Sequence, residues 1–333
     1  MLKDVLTHPI RDELHKMESI ISQSLGQESY GHIAEMMAYL TKSRGKRIRP
    51  ILLLFSFKAL MDGEKVPSIE AVNRQAVTLA AAIELIHMAS LVHDDIIDHA
   101  DTRHERASFH HKFGTEIGMT MGVFLYAKSL SLIAQVGHPS VLKVISDAVE
   151  DLCRGEITQL THRTEPSFEL DDYLRILKEK TGVLFAASCQ CGAILAGASK
   201  PIQDALYHYG ESLGIVFQIA DDFMDVMGDQ ETLGKATGQD FEQGEITLPI
   251  LYLIEGLYGE DRDDVIAKVC SKRPEHLAEL KERIINSDVP DKSKALAKEY
   301  LNKAKLSLKD LPQTKFKKSL YSFVDFVEKR TFG

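Results

Sequence analysis

The sequence predicts an all-α fold in a single domain covering residues 1–333. Three observations carry that expectation. Apolar residues recur at helical spacing along almost the whole chain. No stretch keeps the apolar–polar alternation of a strand, and no Asn-Gly hairpin signal occurs. Prolines are sparse, and Pro67, Pro139, Pro166, Pro201, Pro274 and Pro290 fall where helices should end. At ordinary helix lengths the pattern accommodates roughly ten or more helices, with no dividing linker and no fixed-period repeat. A hydrophobic fraction of 44% with 27% charged residues supports a sizeable core and excludes a disordered or collagenous chain.

Taken in order, residues 1–16 mix both charge signs without an apolar stretch, so no signal peptide is expected there. Next, the basic segment Gly45-Lys46-Arg47-Ile48-Arg49-Pro50 feeds an apolar run, as a glycine turn into a helix start. Residues 70–98 repeat with helix spacing and are rich in alanine, which lets neighbouring helices approach closely. Glu84 and His87 interrupt the apolar run from Ala76 to Val92, so no membrane span and no stable membrane insertion are expected. Residues 141–162, 171–197, 205–225 and 292–309 read as further helices. Between them, residues 228–249 form the least helical segment, with Gly228, Gly234, Gly238 and Gly244. A loop that long inside a compact domain points to function.

Charge and cysteine usage exclude other classes. With 40 basic and 49 acidic residues the net charge is −9, which argues against non-specific nucleic-acid binding. An anionic substrate would need local basic groups or bound cations. Four cysteines, Cys153, Cys189, Cys191 and Cys270, are too few for a disulfide framework in a chain of this length. Cys189 and Cys191 sit in a small-residue apolar stretch and are expected to lie in a helix. The expected setting is a reducing, cytoplasmic one.

Two aspartate clusters carry the chemistry. Asp94, Asp95 and Asp98 follow one apolar helical pattern; Asp221, Asp222 and Asp225 follow another. Residues four apart share a helix face, so Asp94 points with Asp98 and Asp221 with Asp225. Like charges at that spacing beside apolar residues are costly unless something compensates them. A hard cation does so: Mg²⁺ takes oxygen ligands, using one or two carboxylates with waters and substrate phosphates completing the shell. Basic residues would complete such a site. Gly45–Pro50 suits phosphate recognition, Arg103 follows Asp98, Lys180-Thr181 opens an apolar helix, and Lys235 lies in the glycine-rich segment.

The set GKRIRP, AIELIHMASLVHDDIID, EKTGVLFAASCQCGAILAG, FQIADDFMD and TLGKATGQDFEQGEITLP, in this order and spacing, resembles the trans-polyprenyl diphosphate synthases. The likeness implies an all-α bundle around a central apolar cavity, usually a homodimer, that condenses isopentenyl diphosphate with an allylic prenyl diphosphate. It implies Mg²⁺ held by Asp94, Asp98 and Asp221, with Asp95, Asp222 and Asp225 supporting. It further implies an isopentenyl diphosphate site at Lys46, Arg49 and His87, and allylic diphosphate contacts at Arg103 and Lys235. Lys180, Thr181 and Gln218 then surround the developing carbocation.

Three departures from the family's pattern stand out: His104 in place of a second arginine, Val123 after Gly122, and Glu245 in place of a lysine. His104 and Glu245 would weaken diphosphate binding: His104 can be neutral at pH 7 and lacks the arginine fork, and Glu245 reverses a charge near the diphosphates. Ala89 and Ser90 occupy the turn where bulky residues stop the growing chain in the family. A product longer than farnesyl is therefore expected, with the cavity floor near Met119, Met121 or Phe124. Two other readings fit part of the pattern: a weakly active or regulatory subunit of a heteromeric synthase, and a class I terpene cyclase using one allylic diphosphate. His93-Asp94 also opens an HD-type phosphohydrolase reading, which leaves the second aspartate cluster unexplained; His104, His110 and His111 open a zinc reading, but no cysteine joins them and histidines on a helix surface are commoner than ligands.

Overall fold

The computed structural model describes residues 7–26, 31–42, 45–62, 69–103, 106–163, 168–228 and 237–332. The helices are α1 (Arg11–Gly26), α2 (Gly31–Lys42), α3 (Ile48–Met61), α4 (Ile69–Ile97), α5 (Phe109–Phe113), α6 (Thr115–Val136), α7 (Pro139–Thr161) and α8 (Leu170–Leu177). They continue with α9 (Val183–Leu195), α10 (Lys200–Met227), α11 (Gln239–Gln243), α12 (Leu248–Glu255), α13 (Gly259–Ser271), α14 (Pro274–Ile285), α15 (Val289–Ser307) and α16 (Lys315–Phe332). The all-α expectation holds. The strand structure among the described residues is one antiparallel hairpin, β1 (Thr102–Arg103) with β2 (Arg106–Ala107), in register Thr102 to Ala107.

Backbone contacts divide the chain into two compact units. One comprises Met1–Ser146, Ala187–Tyr207 and Asp310–Ser322; the other comprises Asp147–Ala186, His208–Lys309 and Phe323–Gly333. In the first unit α3 is buried around its whole circumference from Ile51 to Phe57, because that stretch has no charged stripe to present to water. Leu53 and Phe57 take the backbone of α9 at close range through Gly192, where an added Cβ would lie 2.5 Å from the Leu53 carbonyl. Helix α4 is buried continuously from Leu79 to Ile86, and α6 lies on it through Gly118 and Gly122. A Cβ at Gly122 would collide with the His93 ring, which explains glycine there. In the second unit the core is built from Val226, Phe241, Ile250, Val265, Leu280, Ile284 and Val289.

Two sequence expectations are corrected. Helices α4 and α6 are both long and apolar enough to cross a membrane by length and composition; Glu84 and His87 are too few to lower the average hydropathy of α4 sufficiently. The apolar window of α4 is 83% buried inside the protein, whereas that of α6 is 39% buried. The expected long loop is also shorter: α11 and α12 occupy Gln239–Gln243 and Leu248–Glu255. Residues 229–236, including Gly234, lie outside the described residues.

Candidate active site

The first aspartate cluster closes α4. The Asp98 N–H donates to the Asp94 carbonyl at 2.8 Å, and the chain then turns through His99 in the left-handed region (φ 51°). Asp94 and Asp98 are half-buried, while Asp95 is 4% exposed. Arg103 Nε donates to Asp95 Oδ1 at 2.7 Å. Burial raises the Asp95 pKa, against the pull of Arg103. The hairpin of β1 and β2 thus brings Arg103, an expected diphosphate contact, onto the buried carboxylate of the cluster.

Arg49, on the first turn of α3, is half-buried. Burial pushes its pKa down to about 10, opposed by Glu84 and Asp94. His87 is pushed well below its ordinary value by burial and by Arg49, Arg103 and Arg47. Its imidazole is therefore neutral at pH 7. Arg49, His87, Arg103 and Asp94 share one electrostatic neighbourhood, as the spacing of their motifs anticipates. Lys46 is exposed on the Gly45–Arg47 turn. Ala89 and Ser90 are buried, and Ser90 Oγ donates to the His87 carbonyl at 2.9 Å.

The second cluster lies in α10. Asp222 is 4% exposed, and its carboxylate accepts from Tyr173 Oη at 2.7 Å and from Gln218 Nε2 at 2.8 Å. Burial pushes its pKa up to about 7, opposed by those two hydrogen bonds and reinforced by Glu245 and Asp221. Asp225 turns to the backbone of α11: its oxygens accept from the amides of Gly238 (3.1 Å), Gln239 (3.3 Å) and Asp240 (3.2 Å). Three amides at a helix start are a strong carboxylate partner, so Asp225 also ties α10 to the segment that opens α11.

Lys180 and Thr181 sit in a single π-helical turn, Lys178–Gly182, between α8 and α9. The turn approaches α10 at Gly214, where a Cβ would lie 2.7 Å from Gly182 Cα. Wider turns of this kind recur at functional sites because they re-aim side chains. Lys180 Nζ pairs with Glu156 Oε2 at 2.6 Å, and Thr181 Oγ1 donates to Gln218 Oε1 at 3.0 Å. Tyr173, Asp222, Gln218 and Thr181 therefore form one hydrogen-bonded series. Glu245 is held by Arg163 Nη2 at 2.9 Å and by Gln159 Nε2, so its charge is compensated within the protein.

Sequence reasoning missed Tyr173, Glu156 and Arg163. Tyr173 stands seven residues before Lys180, two helical turns on one face, which was a usable signal. Glu156 and Arg163 carried none. His104 and Lys235 lie outside the described residues. His93 Nε2 donates to the Met119 carbonyl at 3.1 Å, which removes it from the HD-type arrangement. His110 and His111 engage Ser108 and Asp101 respectively. Of the residues expected near the cavity floor, Met119 is 55% exposed and Met121 6% exposed. Among the described residues, no three carboxylate, imidazole or thiol groups converge enough to hold a metal ion by themselves.

The sequence matches a family model described as polyprenyl synthetase over residues 31–286. It is 36% identical over 328 residues to heptaprenyl diphosphate synthase component 2 of Geobacillus stearothermophilus, covering 97% of each chain. It is 31% identical over 299 residues to octaprenyl diphosphate synthase of Escherichia coli K12, covering 90% of each. A solved structure of polyprenyl synthase from Caulobacter crescentus CB15, complexed with calcium and isoprenyl diphosphate, superposes with a TM-score of 0.90. That pair shares 29% identity and covers 99% of this chain and 98% of the other.

Proposed function

This chain belongs to the polyprenyl synthetase family and is a trans-prenyltransferase; from that premise we propose that it condenses an allylic prenyl diphosphate with isopentenyl diphosphate, head to tail. The allylic C–O bond breaks and diphosphate leaves. A new C–C bond forms to the terminal alkene carbon of isopentenyl diphosphate, and a proton is lost to a diphosphate oxygen. The observation that carries this reading is the ion pair of Arg103 with Asp95 at the end of α4, with Arg49 and His87 in the same electrostatic neighbourhood.

Lys46, Arg49 and His87 bind the isopentenyl diphosphate. A neutral His87 contributes a hydrogen bond rather than charge, so the cationic work falls to Lys46 and Arg49. Thr181 donates its hydrogen to Gln218, which leaves its oxygen lone pairs available to stabilise positive charge. Lys180, pinned by Glu156, adds a fixed cation for the departing diphosphate. Asp94 and Asp98, and separately Asp221, present only oxygen donors, which suits hard divalent ions that keep waters and substrate oxygens in their shells. Magnesium held there would supply charge neutralisation for the leaving group. The calcium and isoprenyl diphosphate named for the Caulobacter structure support a divalent cation of this kind.

The product is longer than farnesyl diphosphate. Small, buried Ala89 and Ser90 support this, as do the heptaprenyl and octaprenyl products named for the relatives. The exposed stripe of α6, with Met119 at 55%, Val123 at 63% and Leu130 at 55%, supports a partner, which we take to be a second copy of this chain. A second reading, a heteromeric synthase, is favoured by the designation component 2 in the Geobacillus relative.

Purified chain supplied with Mg²⁺, isopentenyl diphosphate and farnesyl diphosphate should run as a dimer, release diphosphate and make longer polyprenyl products. A product that stops at farnesyl from shorter primers would overturn the long-chain assignment. Turnover that begins only when another polypeptide is added would replace the homodimer with the heteromer.

A further inference from the structure

Arg47 lies in the middle of the basic segment, between the two residues assigned to isopentenyl diphosphate, yet its guanidinium is directed inward. Its Nε donates to Glu18 Oε1 at 2.7 Å and its Nη2 to Glu18 Oε2 at 3.4 Å, a forked pairing onto α1. Its Nη1 donates to Glu84 Oε1 on α4 at 2.7 Å. The Arg47 side chain is 10% exposed, and that of Glu84 is 3% exposed. A guanidinium with three donors committed to two carboxylates has its Nε–Nη2 fork filled and is held away from a diphosphate.

The backbone of the same residue is unusual. Arg47 has φ 54° and ψ 36° at the N-cap of α3, one of three non-glycine residues in the left-handed region among the described residues. Such a conformation persists only where surrounding contacts over-determine it. The two carboxylates supply those contacts, and the turn they hold carries Lys46 on one side and Arg49 on the other. Charge adds a second constraint. Glu84 is buried, stands one helical turn before His87, and acts on Arg49 as well as Arg47. By neutralising Glu84, Arg47 leaves the charge of Arg49 available to a ligand.

We propose that Arg47, clamped between Glu18 and Glu84, is a positioning residue that sets the turn presenting Lys46 and Arg49 to isopentenyl diphosphate. The assignment rests on the reading that Lys46 and Arg49 bind that substrate. Arg47→Lys keeps the charge but cannot span both carboxylates. It should raise the Michaelis constant for isopentenyl diphosphate roughly tenfold, the size typical of losing a group that orients a ligand-binding side chain. The Michaelis constant for the allylic substrate and kcat should stay within about twofold. Glu18→Gln weakens one arm only and should give a smaller rise of the same kind, which keeps the test available if Arg47→Lys does not fold. Lys46→Ala serves as the control. If Lys46→Ala leaves the isopentenyl diphosphate constant unchanged, the underlying site assignment fails and the proposal with it. If Lys46→Ala raises it but neither Arg47→Lys nor Glu18→Gln does, the clamp is overturned alone. A parallel rise for both substrates, with lost kcat, would reduce Arg47 to a general structural role and also overturn it.

Discussion

The two aspartate clusters share one sequence pattern and solve the same electrostatic problem differently. In each, the middle aspartate is 4% exposed and serves as an internal strut. Asp95 has a cation, Arg103, brought back by a hairpin. Asp222 has two neutral donors, Tyr173 and Gln218, and burial raises its pKa to about 7. Arginines surround the first cluster, whereas hydrogen-bond donors order the second. The last aspartates differ too: Asp98 ends its helix in a turn, and Asp225 fastens α11. A shared motif thus fixes which side chains are available without fixing what each one does.

The largest effect should separate members of the second cluster. Asp221→Ala should lower turnover by roughly 10²–10³-fold, the range for removing one group that stabilises developing charge. Asp225→Ala should cost about tenfold in turnover and about 1 kcal/mol of stability, as loss of a helix cap does. Equal losses of turnover with unchanged stability in both variants would erase the distinction.

Glu245→Lys comes next. It would set a second cation against Arg163 in a half-buried place and should cost on the order of 2 kcal/mol in denaturant unfolding. It should not tighten isopentenyl diphosphate binding. A variant of unchanged stability with a lower Michaelis constant would restore the view that Glu245 opposes the substrate directly.

A smaller contrast compares the two struts. Asp95→Asn leaves Arg103 without its ion partner and should destabilise by about 1–2 kcal/mol. Asp222→Asn removes a charge that burial already disfavours, between neutral donors, and should fall within about 1 kcal/mol of the parent. Reversal of that order in equilibrium unfolding would break the comparison.

A further effect is the pH dependence set by the burial of His87 and by the arginines around it. Its folded pKa lies well below the ordinary 6.5, so the unfolded chain binds the proton more readily. Stability from this group is complete above pH 6.5 and falls as the pH drops through and below that value, by at most about 1.4 kcal/mol per pH unit. His87→Gln should flatten the slope just below pH 6.5 relative to the parent; an unchanged slope would show that the imidazole is not held neutral.

Much of this was legible beforehand. The helix predicted over residues 70–98 is Ile69–Ile97, and that over 292–309 is Val289–Ser307. Gln218 and Asp222, four apart, are joined as helix geometry dictates. The π-helical turn at Lys178–Gly182 was not legible, because a single widened turn leaves the apolar period of α8 and α9 nearly unchanged. Nor was the inward use of Arg47, which stands in GKRIRP as one more cation of a segment suited to phosphate recognition.

By itself the sequence determined the helical class, the faces of the aspartate clusters, and the family. All three are written in spacing along the chain, which local backbone geometry converts directly into position. Only the tertiary structure decided that Arg47 serves Glu18 and Glu84, that Arg103 serves Asp95, that Tyr173 orders Asp222, and that Arg163 compensates Glu245. Those choices join separate elements of the fold, where burial makes each charge take the partner that packing brings nearest, and no local period records which one that will be.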